Sequence, residues 1–344
     1  MAEVGARTPT SRLIAAFAAV YIIWGSTYLA IRFAIETLPP FLMAGVRFVI
    51  AGALLYAWTV RRSGRRPERG EWKAAIIIGA LLLLGGNGGV VWAEQTVPSG
   101  VAALIVAIVP CWMVLLDWAR PGGSRPAAQV GLGLILGLAG VALLVGPSSL
   151  AGGMGVDTIG SIALVFASLS WAAGSIYARQ TKPPAVPLQA TAMQMLAGGA
   201  LLIFAGVLAG ETASVDLSRV SARSAAAFLY LIAFGSIVGY SAYAWLLRKS
   251  TAARVSTYAY VNPVVAVFLG WALAGEPLTP RMMLAAAVII AGVALITLSG
   301  RPRARARPAD EPEPFTAAKP SSRMPLRAVS AMGPRPARQD AASQ

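Results

Sequence analysis

The stretch Trp24-Gly-Ser-Thr-Tyr-Leu-Ala-Ile-Arg32 has a counterpart 147 residues later, Trp171-Ala-Ala-Gly-Ser-Ile-Tyr-Ala-Arg179, with the tryptophan and arginine in the same places. The spacing continues without a gap to the matched pairs Pro40 with Pro187 and Gly52-Ala-Leu-Leu with Gly199-Ala-Leu-Leu. Later matches, at spacings of 153 or 152 residues, are Trp92 with Trp245, Pro110 with Pro263 and Gly140 with Gly292. Nearly the whole apolar chain is therefore one unit used twice.

Each unit contains five apolar stretches of the length that a bilayer crossing requires, about 20 residues. The predicted spans are Leu13 to Ile31, Leu38 to Val60, Ala74 to Ala93, Gln95 to Leu116 and Pro126 to Val156, then Thr158 to Ala178, Pro183 to Gly210, Ser224 to Leu247, Val255 to Gly275 and Met282 to Gly300. An odd number of crossings turns the second unit upside down, as in many secondary transporters. The sequence thus predicts an all-α membrane protein of ten transmembrane helices in two inverted five-helix repeats, residues 13–150 and 158–300.

Composition and charge agree with a membrane location. The chain is 57% hydrophobic and 12% charged with a mean hydropathy of +0.66, whereas a soluble domain has roughly 25% charged residues. Basic clusters such as Arg61, Arg62, Arg65 and Arg66 lie in alternate loops, and short basic loops stay in the cytoplasm. We therefore expect a multi-pass protein of the bacterial inner membrane with both termini, including residues 1–12, in the cytoplasm. Since this topology explains the net charge of +15, no nucleic-acid partner is expected.

Residues 301–344 differ from the rest of the chain because they are Pro-rich and basic and contain almost no apolar run. Such a composition predicts a disordered cytoplasmic tail. The tail either lies on anionic lipid headgroups or is solvated.

Several chemistries are excluded by residue content. The chain has one cysteine, Cys111, and no histidine, which removes thiolate and imidazole metal sites, Ser-His-Asp triads and imidazole relays. A phosphate-binding GxxxxGK[ST] loop is also absent, which argues against ATP-driven pumping. We therefore predict no enzyme activity, no metal and no cofactor.

Polar groups inside the spans are the candidate site, because each is costly in a bilayer. Arg47 lies seven residues after Pro40, roughly 10 Å along a helix, and its repeat counterpart is Gln194. Arg47 either lines the path of a solute or reaches outward or pairs with Glu36 or Glu94. Asn262-Pro263 and Pro110 predict kinks in equivalent helices, either for gating or for packing. The remaining candidates for a cavity are Trp24, Ser26, Tyr28, Asn87, Trp92, Trp171, Ser175, Tyr240, Tyr243, Tyr258, Tyr260 and Asn262, whose alternative role is interfacial or packing.

Four strings together resemble the EamA-type drug/metabolite transporter superfamily, in particular its YedA-like bacterial exporters. These strings are Trp24-Gly-Ser-Thr-Tyr-Leu-Ala-Ile-Arg, Ala44-Gly-Val-Arg-Phe, Trp92-Ala-Glu-Gln-Thr-Val-Pro-Ser-Gly and Tyr258-Ala-Tyr-Val-Asn-Pro-Val. The resemblance covers about residues 13–300 and implies export of small metabolites or toxic compounds by alternating access. It also implies a central cavity formed mainly by helices one, three, four, six, eight and nine, which leaves out the helices of Arg47 and Gln194.

The energy source is left open by the sequence. Glu94 is the residue expected to carry a proton if transport is proton-coupled, but it aligns with Leu247 in the second unit, and facilitated diffusion or exchange fits equally well. The predicted function is a secondary active or facilitative exporter of small metabolites, amino-acid-like compounds or drugs. The alternatives are a lipid-handling membrane protein and a membrane scaffold or receptor. Expected partners are a small-molecule substrate and membrane lipids, and a homodimer is allowed but not required.

Overall fold

The computed structural model describes residues 10–119, 157–182, 185–250, 255 and 258–299, and between 128 and 143 it describes 128–129, 131–133, 135–137, 139–140 and 143. For residues 260, 293 and 296–299 only the backbone is described. The predicted tail, the first nine residues and the central connector up to residue 156 lie outside the described residues.

Helices make up the described chain, which contains no strand. Their bounds are α1 Thr10–Ala34, α2 Pro40–Ser63, α3 Arg69–Ala93, α4 Ser99–Ala119, α5 Thr158–Gln180, α6 Pro187–Leu208, α7 Ala222–Lys249, α8 Tyr258–Ala274 and α9 Pro280–Ser299. Seven of these, α1 to α7, are long and apolar enough to cross a membrane, and α8 and α9 contain shorter apolar helices. The described residues from 128 to 143, within the predicted fifth span, are also helical. The prediction of an all-helical membrane protein is therefore confirmed.

Local sequence explains where these helices begin and end. Helix α2 begins at Pro40, where the missing N–H costs nothing, and ends before Gly64, whose φ of 61° suits glycine. Helix α3 begins five residues before the predicted apolar run because Glu68 and Glu71 form a reciprocal capping box that satisfies its first N–H groups. Hydropathy alone therefore underestimates these two helices at their charged ends.

Close backbone contact joins α2 to α6. A Cβ atom on Gly199 would lie 2.8 Å from the carbonyl oxygen of Gly45, and one on Gly52 would lie 2.9 Å from that of Ala192. Small residues allow helices in a membrane to approach in this way. Gly199 is the repeat counterpart of Gly52, and Ala192 is the counterpart of Gly45. The two contacts are therefore equivalent, because each joins one of these repeat positions on one helix to the other position on its partner helix.

Three helices contain a π-helical segment, namely Ala19–Ile23 in α1, Ala80–Gly88 in α3 and Leu231–Tyr240 in α7. The α3 and α7 segments overlap at the 153-residue repeat spacing. A π-helical turn shifts the side chains that follow it around the helix axis and is frequent at functional sites. These helices meet at the cavity described next.

Candidate functional site

A central cavity, whose roughly 710 Å³ of space between atoms includes a part open to the outside, lies among seven helices of the described chain, α1 to α5, α7 and α8. Its wall is mostly apolar with a few polar groups, which is the usual character of a small-molecule site. The predicted candidates that line it are Trp24, Tyr28, Arg47, Asn87, Trp171, Tyr240, Tyr258 and Asn262. The remaining lining residues are Thr27, Ile31, Phe48, Leu83, Gly86, Val90, Val106, Ala167 and Gly235.

Arg47 is the only Lys, Arg, Asp or Glu among these lining residues, and its side chain is almost fully enclosed, at 3% exposure. One guanidinium nitrogen, Nη2, donates to Oδ1 of Asn87 at 2.5 Å, and the group lies over the Phe48 ring at 4.4 Å from its centroid. Its Nε atom is buried and has no hydrogen-bond partner in the described structure. Glu36 pairs with Arg223, so the alternative of an Arg47–Glu36 pair is not realised. Glu94 makes no hydrogen bond to Arg47 in the described structure and acts on it only electrostatically.

Aromatic rings form one continuous cluster at the cavity. The Trp24 ring contacts Trp171 edge-on at 5.4 Å, and its centroid lies 4.8 Å from that of Tyr243 and 5.8 Å from that of Tyr258. Both indole N–H groups are already used, since Trp24 donates to the carbonyl of Gly235 at 3.2 Å and Trp171 to the Tyr243 hydroxyl at 3.1 Å. The cluster therefore offers a solute ring surface and not indole donors.

A second, larger space, which we call the vestibule, lies where α3 and α6 begin and where α5 and α7 end. It is lined by the basic residues Arg179, Lys182, Arg248 and Lys249, by Glu71, and by Gln194, Tyr240 and Tyr243 among others. Tyr240 also lines the cavity, so at this residue the two spaces are one side chain apart. The Tyr240 hydroxyl donates to Oε1 of Gln194 at 3.0 Å, and the Ser175 and Tyr243 hydroxyls are bonded at 2.7 Å.

Two hydrogen bonds occupy equivalent positions in the two repeats. The first joins Arg47 to Asn87 in the cavity, and the second joins Gln194 to Tyr240 at the vestibule. Gln194 follows Arg47 by 147 residues and Tyr240 follows Asn87 by 153, the spacings of the two repeats in these regions. A third matched contact involves two arginines. The Arg32 guanidinium donates to the backbone carbonyl of Glu94 at 2.9 Å, and the Arg179 guanidinium donates to the backbone carbonyl of Leu247 at 3.2 Å.

Glu94 lies directly after α3, outside that span, and is completely buried. Neither of its carboxylate oxygens has a hydrogen-bond partner in the described structure. Burial, and secondarily the Glu276 carboxylate, raise the pKa of Glu94 well above the usual carboxyl range, against the opposing effect of Arg32 and Arg47. The neutral acid is therefore the favoured form of this side chain.

Other predicted residues lie away from the cavity or serve the backbone. Ser26 donates to the Ile23 carbonyl and is bonded to the Tyr230 hydroxyl at 2.7 Å, while Trp92 is 37% exposed on the surface of α3. The side chain of Tyr260 is outside the described residues.

The predicted kink positions differ in their surroundings. Helix α4 is interrupted at residues 107–108, just before Pro110, whereas α8 runs through Pro263. In the orientation that satisfies its neighbours, the Asn262 amide nitrogen donates to the carbonyls of Tyr21 and Tyr258 at 3.1 and 3.3 Å. Asn262 thus holds α8 against the π-helical segment of α1.

Sequence reasoning missed the apolar part of the cavity wall, including Phe48, Leu83 and Val106. An apolar residue in a membrane span carries no signal that separates a cavity wall from a lipid-facing surface. Thr27, between two predicted residues, could have been included from its polarity. The described residues contain no group of three or more acidic, cysteine or histidine side chains that could hold a metal ion.

Long apolar helices around a mostly apolar cavity with a few polar groups are typical of a multi-pass membrane transporter, and comparison with known proteins identifies the family. Residues 11–146 and 158–298 each match the EamA-like transporter family, and the chain belongs to this family. It is 43% identical over 289 residues to the inner membrane transporter YedA of Escherichia coli K12, covering 83% of this chain and 90% of YedA. It is 26% identical to the transporter YvbV of Bacillus subtilis, covering 85% and 94% of the two chains. A protein of known crystal structure has the same fold, with a TM-score of 0.62 at 21% identity over 86% of this chain and all of the other.

These matches confirm the predicted family and the inner-membrane location. They also support a small-molecule substrate and a lipid environment for this chain.

Proposed function

We propose that this protein exports small metabolites, amino-acid-like compounds or drugs by alternating access through the central cavity, as a secondary active or facilitative transporter. The observation that carries the proposal is that one layer of side chains separates the cavity from the vestibule, with Tyr240 lining both spaces. This layer contains two hydrogen bonds, Tyr240 with Gln194 and Tyr243 with Ser175. Breaking its two hydrogen bonds would let a solute pass from one space to the other. Transport by the family's members favours this role over catalysis.

We further propose that the two units, residues 13–150 and 158–300, are inverted repeats that exchange conformations. The matched bonds of Arg47 with Asn87 and of Gln194 with Tyr240 support this, because the first lies in the cavity wall and the second at the vestibule. In such an arrangement, opening one bond while its counterpart closes would expose the cavity to one side of the membrane at a time. The basic end with the vestibule is then the cytoplasmic end.

Export is tested by comparing extracellular metabolites, by mass spectrometry, between cells with the intact protein and cells with equally abundant Arg47→Ala. We expect a defined set of small compounds to accumulate outside only with the intact protein, because the variant loses the one charge in the cavity wall.

Arg62→Ala is the matched control. Arg62 is on the same helix, but it is exposed and lies over Trp58 at 5.2 Å, so its variant should export normally. Identical extracellular profiles with the intact protein and with no protein, also after loading cells with amino-acid analogues and drugs, would contradict the export function.

Glu94 is our proposed proton carrier if export is coupled to protons. It is buried without hydrogen bonds, and the charged groups that act on it are Arg32, Arg47 and Glu276. A carboxyl that is neutral when buried can release its proton when the surrounding helices admit water.

The raised pKa of Glu94 gives a defined pH dependence of stability. The folded protein binds the Glu94 proton more tightly than the unfolded chain does. The contribution of Glu94 to the free energy of unfolding therefore falls as the pH rises from the ordinary carboxyl pKa to the raised one. This fall has a slope of up to about 1.4 kcal/mol per pH unit. We expect it to be absent in Glu94→Gln, because the amide does not titrate. Thermal unfolding midpoints between about pH 5 and about pH 8 would measure it.

Glu68→Gln is the control, since the Glu68 side chain is 75% exposed and its variant should keep the wild-type pH slope. A wild-type slope in Glu94→Gln would rule out Glu94 as a buried proton site.

A further inference from the structure

The cavity wall carries a positive charge that no carboxylate of the described chain contacts directly, and the one acid that acts on it, Glu94, lies outside the wall and is favoured as the neutral form. Arg47 is its only Lys, Arg, Asp or Glu, and within the described chain this guanidinium forms no ion pair. Its one polar partner, Asn87, is neutral. Buried charges in proteins are normally paired because desolvation is expensive. The cavity is therefore complementary to an anion.

The contacts of Arg47 leave a place for that anion. The Phe48 ring lies 4.4 Å from the guanidinium carbon, and Nη2 is occupied by Asn87. The buried Nε has no partner, and a guanidinium binds a carboxylate through its donor edge, often with two hydrogen bonds. The Nε donor of Arg47 is thus without an acceptor in the described structure, and a compact anionic group would satisfy it.

The rest of the wall is suited to an apolar body. The indole N–H groups of Trp24 and Trp171 are already donated to protein acceptors, so these residues present ring surface. Ile31, Leu83 and Val90 extend the same apolar wall. A solute with charges throughout would lose hydration here without regaining partners.

The vestibule has the same sign of charge as the cavity. Arg179, Lys182, Arg248 and Lys249 line it against the single carboxylate of Glu71. The Nη1 atom of Arg248 is buried and has no hydrogen-bond partner in the described structure, a feature that membrane topology does not require. A concave surface of one charge raises the local concentration of the opposite ion.

Building on the transport function proposed above, we propose that the central cavity binds an amphipathic organic monoanion, whose carboxylate is held by Arg47 and whose apolar body lies against Trp24 and Trp171. Organic cations, which the aromatic cluster alone would accept, are repelled by the same guanidinium.

The test is to measure, by calorimetry, the affinity of the purified intact protein in lipid nanodiscs for three probes of one shape. The probes are 3-phenylpropanoate, 3-phenylpropanamide and 3-phenylpropylamine, which carry a negative, neutral and positive head on the same body. We expect the acid to bind about tenfold or more tightly than the amide, and the amine to bind least. Arg47→Gln should lose about tenfold in affinity for the acid and little for the amide, whereas Arg62→Gln should change neither.

Arg47→Lys keeps the charge without the planar donor edge and should retain part of the preference for the acid. A retained preference in this variant would show that the loss of affinity in Arg47→Gln is a loss of recognition and not of folding. The proposal is overturned if the amide or amine binds as tightly as the acid, if Arg47→Gln keeps full affinity, or if folded protein binds none of the probes. Because binding needs no flux, acid-selective binding without export in cells would leave this inference standing and contradict the exporter function. Export of cations would do the reverse.

Discussion

Replacing Gly199 by leucine is expected to abolish the folded protein. A Cβ atom at this position would lie 2.8 Å from the carbonyl oxygen of Gly45 and 2.9 Å from the backbone nitrogen of Val49. Both obstacles are backbone atoms, so a rotamer change cannot relieve the overlap and α2 must move away from α6. Overpacking typically costs about 1–3 kcal/mol, and we expect about 3 kcal/mol or more here because the most extensive helix–helix contact in the described chain is forced apart.

The measurement is the yield of monodisperse protein in detergent, by size-exclusion chromatography, together with its thermal midpoint. Gly70→Leu is the matched control, because a Cβ on Gly70 would have no neighbour within 4 Å. Normal yield and midpoint for Gly199→Leu would contradict the described α2–α6 contact.

Replacing Glu276 by alanine should cause the second largest loss of stability. Its carboxylate follows α8 and accepts three hydrogen bonds at the start of α4, from the Ser99 nitrogen at 2.8 Å, the Ser99 hydroxyl at 2.7 Å and the Gly100 nitrogen at 3.0 Å. A negative charge at a helix N-terminus also favours the helix dipole. Since the variant leaves these first N–H groups of α4 without an acceptor, we expect a loss of about 2–3 kcal/mol.

Thermal unfolding of Glu276→Ala and Glu276→Gln in the same lipid would measure this loss. We expect the midpoint of Glu276→Gln to lie between those of the wild type and Glu276→Ala, because the amide retains one acceptor oxygen. Glu36→Ala is the comparison, since its ion pair with Arg223 is solvent-exposed and such pairs contribute roughly 0–1 kcal/mol. Equal midpoints for Glu276→Ala and Glu36→Ala would mean that the Glu276 contacts do not stabilise α4.

A second carboxylate makes a similar contact and indicates a common arrangement. Glu211, after α6, accepts from the Phe41 and Leu42 nitrogens at the start of α2 at 3.1 and 2.8 Å. Both acids come from the second unit and cap helices of the first. Neither contact could be predicted from the sequence, because a capping partner more than 150 residues away leaves no local pattern.

Helix bounds were largely predictable from the sequence, and the differences have a local cause. The predicted span Pro183 to Gly210 corresponds to α6, Pro187–Leu208. The predicted Leu38 to Val60 begins close to α2, but α2 continues through Arg61 and Arg62 to Ser63. Hydropathy records where apolar residues stop, whereas backbone hydrogen bonds continue until a residue such as Gly64 ends them.

Only some of the predicted site residues could be expected to share one space. Asn87 and Trp92 both looked suitable on α3, but five residues correspond to about 140° of rotation on a helix, and Asn87 faces the cavity while Trp92 is on the surface. Which of the two faces inward depends on how α3 is rotated against its neighbours. The contact of Gly86 with the Trp171 ring, where a Cβ would lie 2.8 Å from Cε3, is part of what sets that rotation.

By itself the sequence determined the class of protein, the duplication and most of the helices, because hydropathy, residue spacing and helix-ending residues act over one or two turns. Tertiary structure alone decided that Arg47 meets Asn87 in the cavity while their counterparts, Gln194 and Tyr240, meet at the vestibule. The physical reason is that the rotation and offset of packed helices are set by contacts between distant small residues, such as Gly45 with Gly199, whose pairing no local pattern encodes.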